Sequence, residues 1–129
     1  MQEALQELAR RDGRFSIQAY LFLFESLDTA IQLAGKGQAE GPDRHITGQD
    51  LLMGMRSFGE RSFGPMAAQV WRSWGVHETL DWGRIVFLLV EQGLLAKRDE
   101  DHIDDFRAGF DFDAAFVNDY NVPIPSNLD

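Results

Sequence analysis

Apolar residues recur along this chain mostly at three- and four-residue spacing, the repeat of a helix with one buried face. Leu5 and Leu8 share a face within residues 1–12, with Glu3, Glu7, Arg10 and Arg11 on the remainder, and Asp12-Gly13 ends the pattern. A longer stripe of Tyr20, Leu23, Phe24, Leu27 and Ile31 predicts a helix over 16–34 that Ser16 caps. Leu21 and Phe22 widen that stripe beyond what one neighbouring helix covers, which leaves apolar surface for a partner or a second copy. The next segment, GKGQAEGPDR over 35–44, is rich in Gly and reads as a mobile loop.

A third helix is predicted over 47–59, opened by Thr47 with Asp50 in a variant capping box and ended by Gly59 and then Phe63-Gly64-Pro65. Pro65 suits the first position of a fourth helix over 65–74, and Gly75 suits its end. Thr79 is placed to cap a fifth over 79–92, which Gly93 stops. The period then changes. Phe106, Ala108, Phe110 and Phe112 alternate with Arg107, Gly109 and Asp111, the two-residue repeat of a half-buried strand. Paired with 94–98 across an acidic turn, this predicts a β-hairpin. The expected fold is therefore mainly α with a small β-hairpin: a winged helix-turn-helix-like core preceded by two helices. It forms one domain over 1–121, and the tail 122–129, with two Pro in NVPIPSNLD, is expected to be flexible. The expected core is Leu23, Phe24, Leu27, Leu51, Leu52, Met55, Val70, Trp74, Ile85, Val86 and Leu89.

The strings HITGQDLL, FGPMA, WRSWGV, DWGRIVFLLVEQGLL and DED…DDFRAGFDFDAAF stand at these positions. Their marked blocks are Phe63-Gly64-Pro65, Trp74-Gly75, Trp82-Gly83 with Ile85-Val86-Phe87, and Gly93-Leu94-Leu95. Over roughly residues 15–117 the chain resembles a family of conserved hypothetical proteins found mainly in planctomycetes and verrucomicrobia. That family has no established activity, so the resemblance implies no chemistry, cofactor or catalytic position.

Composition narrows the functional classes. Among 129 residues, 21 acids face 12 bases, a net charge of −9 that repels phosphate backbones and anionic lipid. A winged helix invites the idea of DNA binding. Its third helix, however, carries Arg84 as its one base beside Asp81 and Glu91, and the wing would be acidic. Direct DNA binding is disfavoured. There is no Cys, which removes disulfides, thiolate zinc sites and cysteine nucleophiles and suits a reducing compartment. No apolar run is long enough to cross a membrane, and the N-terminus lacks the apolar run of a signal peptide, so a cytoplasmic location is expected.

No nucleophile elbow and no phosphate loop occurs, and no cofactor is implied. His45, His77 and His102 lie in three separate turns. The carboxylates of 99–113 fail the EF-hand spacing, leaving a divalent-metal site or a metal-dependent hydrolase as the alternative reading. The clustered acids Asp99, Glu100, Asp101, Asp104 and Asp105 instead suggest a non-catalytic protein-interaction module. Its partner would be a basic protein, a ribosomal surface or, as a homodimer, another copy. Trp71, Trp74 and Trp82 are expected to pack in the core, with one of them, beside Phe58 or Phe63, as a candidate groove lining.

Overall fold

The computed structural model describes residues 2–118, so the expected tail 122–129 lies outside the described residues. Five α-helices carry the fold: α1 Gln2–Asp12, α2 Ile17–Leu33, α3 Gly48–Phe63, α4 Ala67–Ser73 and α5 Thr79–Glu91. Short 3-10 turns, Gly41–Arg44, Gly64–Met66 and Ile103–Phe106, and a π turn, Ala114–Asn118, complete it.

Two of the expected caps form. The Ser16 hydroxyl accepts from the Gln18 amide at 3.1 Å. Thr47 and Asp50 make a reciprocal box, each side chain accepting the other's backbone N–H at 3.0 and 3.1 Å. Thr79 does not cap α5; Glu78 holds that position without a side-chain bond. Asp81 reaches back instead and accepts from the His77 amide at 2.9 Å. Gly59 does not stop α3, which continues to Phe63 and ends at Gly64, in a left-handed conformation at φ +56.

Helices α2 and α3 form the central pair. Ala30 meets Gly54 while Phe22 packs against Phe58 and Phe63, so the two run antiparallel. Their approach is set by glycine: a Cβ on Gly54 would lie 2.4 Å from both Cα and Cβ of Ala30. Phe22 is the hub of an aromatic cluster that also includes Trp71, Trp74 and Trp82, with ring centroids 5.5–5.8 Å away. Trp71 and Trp82 are fully buried. Helix α1 adds Leu5 and Leu8 to the same core. The expected core residues Leu23, Leu51, Leu52, Met55, Ile85 and Leu89 are buried, whereas Phe24, Leu27, Val70, Trp74 and Val86 are half-buried.

The β-hairpin is absent: no residue among those described is in a strand, and the winged-helix order lacks its wing. Residues 94–98 run as bends and coil, and 103–106 wind into a 3-10 turn. The alternation of Phe106 to Phe112 has another cause. Phe106 drops into a notch between α3 and α5, where neither Gly48 nor Gly83 has a side chain. A Cβ on either would come within 2.7–2.8 Å of its ring or Cβ. Ala108 then takes φ +51, a conformation no strand contains. The backbone on either side is satisfied by one side chain. The Thr79 hydroxyl donates to the Phe106 carbonyl at 2.6 Å and accepts from the Gly109 amide at 2.9 Å. Phe112 and Phe116 pack edge-on against Trp71 at 5.0 and 4.9 Å.

Candidate functional site

The five acids singled out in 99–105 differ in burial and in bonding. Asp101 is half-buried: its Oδ2 accepts from the Arg98 amide at 2.8 Å and lies 2.7 Å from Nε2 of His45. Burial works to raise its carboxyl. The Arg98 amide, the His45 bond and the charges of His45 and Lys97 together outweigh burial and hold it below the ordinary carboxylate range. Asp105, also half-buried, accepts from the His102 amide at 3.1 Å and starts the 3-10 turn. Asp104 is exposed and pairs with Arg107 at 3.1 Å. Asp99 and Glu100 project from an exposed turn and make no side-chain bond among the described residues.

Segment 35–44, expected to be mobile, is tied down by cations that donate to backbone carbonyls. Lys36 Nζ donates to the His45 carbonyl at 2.6 Å, and Arg44 donates to the carbonyls of Gly37 and Ala39 at 3.2 and 3.1 Å. Arg98 donates to the carbonyl of Pro42. With the His45–Asp101 contact, these bonds join the 41–45 turn to the 98–101 turn.

Behind these joined turns lies a cavity of about 180 Å³, open on one side. Leu27 and Ile31 of α2 line one wall, and Val86 and Phe87 of α5 face it. Leu51 of α3, Ile46 and Leu95 add to the apolar lining. Its polar residues are Arg44, His45, Thr47, Lys97, Asp101, His102 and Asp105, all from the two turns and their flanks. Leu27 and Val86 are thus half-buried because they face this cavity as well as the core. A second hollow of about 280 Å³, bounded by Met53, Arg107 and Gly109, is more polar and is lined by fewer residues. The first is the better-built site, because apolar walls with few polar groups retain an apolar ligand.

Other sequence candidates fall elsewhere. His45 and His102 both reach the cavity, while His77 is exposed near the start of α5. Among the described residues no three His, Asp or Glu side chains converge where a metal could sit. Asp111 accepts from the Ala114 amide at 2.9 Å, and Asp113 pairs with Arg72 at 3.0 Å. None of the three Trp lines the cavity. The basic residues near the N-terminus are internally matched, Arg10 and Arg11 to Glu7 and Arg14 to Asp12. Arg84 of α5 pairs with Asp81 at 2.5 Å. No helix among the described residues is long and apolar enough to cross a membrane.

Leu27 and Ile31 were legible as part of the apolar stripe of α2 and Val86 as part of that of α5, whereas Leu21 and Phe22, which widen the α2 stripe, do not line the cavity. The enclosure itself, from four segments distant along the chain, was not legible. No family model matches the chain, and neither a curated protein nor a solved structure matches it.

Proposed function

We propose that this protein is a non-catalytic binding module and that the cavity between α2, α3, α5 and residues 95–106 receives an apolar side chain of a protein partner. The observation that carries this reading is the cavity. It is preformed, its walls are apolar, and bonds between its two bordering turns hold it open. An apolar cavity of about 150 Å³ holds a benzene ring, so a cavity of about 180 Å³ is on the scale of a Leu or Phe side chain. Covering its apolar walls stabilises a complex by about 25 cal/mol per Å² removed from water. Buried single anchors of this kind dominate many interfaces. Segment 99–105 forms part of the outer wall, so its acids stand where a partner's flanking residues would pass.

Capture from native lysate on immobilised protein tests this. Val86→Phe and Leu27→Phe each fill the cavity from opposite walls, and Met66→Asp alters an exposed apolar residue on the 3-10 turn before α4. Both filling variants are expected to lose the partners that wild type and Met66→Asp retain, while melting as wild type does. Equal capture by folded filling variants contradicts the reading.

A further inference from the structure

The cations that line the cavity differ from others in what they bind. Arg10, Arg11, Arg14, Arg72, Arg84 and Arg107 each pair with a carboxylate. Arg44 and Lys97, which line the cavity, bind backbone carbonyls instead. Arg44 is half-buried, and both of its bonds, to the Gly37 and Ala39 carbonyls, use Nη1. Its Nε and Nη2 have no acceptor among the described residues. Lys97 Nζ donates to the Arg98 carbonyl at 3.2 Å, and an ammonium has donors to spare beyond that one. The acids of the lining are engaged differently. Asp101 Oδ2 accepts from the Arg98 amide and lies against His45, and Asp105 Oδ2 accepts from the His102 amide. Thr47 and Gly48, at the start of α3, line the cavity too, and that end of a helix favours an anion.

We propose that the occupant is the C-terminal residue of a protein partner: a side chain the size of Leu or Phe seated in the cavity, and its free carboxylate held by Arg44 and Lys97. This rests on the cavity being the binding site. The walls are apolar and the polar lining comes from the two turns and their flanks, so an anion there must be joined directly to the apolar body that fills the interior. At a chain terminus the carboxylate and the side chain share one Cα. An internal apolar residue brings a neutral peptide group to the same place and leaves the cations without a counter-charge. A Lys or an amino terminus sets a further cation beside Arg44 and Lys97. The net charge of −9 opposes an anion at a distance, so the carboxylate acts at contact, through charge-assisted hydrogen bonds. The apolar side chain supplies most of the affinity and the carboxylate selects the terminus.

The test uses short Ser/Gly peptides labelled with fluorescein at the N-terminus, read by anisotropy with the intact chain. One ends in Leu with a free carboxylate, a second ends in the same Leu as a carboxamide, and a third ends in Ala with a free carboxylate. The Leu acid is expected to bind. The Leu amide should bind about 10-fold or more weakly, the effect of losing a charge-assisted bond, and the Ala acid about 30-fold or more weakly, the effect of losing an anchor. In Lys97→Gln and in Arg44→Gln the ratio of acid to amide affinity should fall several-fold. Both peptides meet the same variant, so that ratio is unmoved by a general change in the loop. Equal binding of acid and amide, a ratio unchanged in both variants, or no binding of any peptide at ~1 mM overturns the proposal. If acid and amide bind equally and Val86→Phe abolishes both, the cavity remains the site and only the carboxylate terminus is wrong. If Val86→Phe leaves peptide binding and lysate capture both unchanged, the cavity reading fails with it. Binding of free N-acetyl-leucine as tight as that of the Leu acid peptide would make a small carboxylic acid the occupant and overturn the partner's terminus. Concentration-dependent sedimentation that Val86→Phe abolishes would identify a second copy as the occupant and likewise overturn it.

Discussion

Gly54→Ala should destabilise this protein, although the same change in an open helix stabilises it. In a helix interior Ala is favoured over Gly by about 1 kcal/mol. At Gly54 the new Cβ would lie 2.4 Å from Cα and Cβ of Ala30 and 2.7 Å from its amide nitrogen. Carbon contacts are comfortable at about 3.5–4.0 Å, so α2 and α3 would have to separate by roughly 1 Å. The opposing atoms are mostly backbone and cannot rotate away. Overpacking costs typically about 1–3 kcal/mol and more where backbones shift. Against the propensity gain, a net loss of about 2 kcal/mol follows, or very roughly 6–8 °C in Tm for a chain of this size. Urea unfolding followed by circular dichroism measures it, as a lower midpoint with an unchanged slope. Adding Ala30→Gly should recover little, because the Ala30 Cα would remain at 2.4 Å. A Gly54→Ala protein as stable as wild type, or one fully rescued by Ala30→Gly, would refute the backbone contact as the origin.

Thr79→Val keeps the shape but removes both bonds that the Thr79 hydroxyl makes to residues 106 and 109. It should cost about 2–4 kcal/mol by urea unfolding, and a loss under 1 kcal/mol would mean that the two backbone groups find water instead. Asp101 has its carboxyl depressed in the folded state, so its stabilisation is present above its unfolded value near about 4 and is lost as pH falls through the folded value. The stability gap between wild type and Asp101→Asn should therefore shrink below about pH 4, and a gap that stays constant down to pH 2 contradicts the assignment. Burial pushes the Tyr20 phenol up to about 12, with Asp12 adding to the rise. Its stabilisation is therefore intact below about pH 10 and lost as pH rises through that folded value. In Tyr120→Phe protein, absorbance at 295 nm should show no phenolate before global unfolding, whereas a reversible transition near pH 10 in folded protein contradicts the burial.

The five helices are legible because local rules govern them: an apolar 3.6-residue stripe, and Ser16 and Thr47 where caps belong. Residues 94–112 were misread because their pattern is set by distant partners. Phe106 and Phe112 alternate like strand residues, yet the notch for Phe106 is made by Gly48 and Gly83, and Thr79 satisfies the backbone around it. Glycines inside two predicted helices were the available sign of a close approach. The acids of 99–105 are adjacent in sequence, but geometry divides them into inward bonds for Asp101 and Asp105 and an open turn for Asp99 and Glu100. The cavity left only an indirect trace, since each wall residue reads as ordinary core along its own helix.

Methyl-labelled NMR spectra during titration with a short Ser/Gly peptide that carries a single Leu test the cavity reading most directly. Shifts are expected to concentrate on Leu27, Ile31, Ile46, Val86 and Leu95, which line the cavity, and to spare Leu5, Leu8 and Val76, which are buried but do not line it. Shifts centred on the exposed Leu33 or Val117, with the cavity methyls unmoved at saturation, would contradict it.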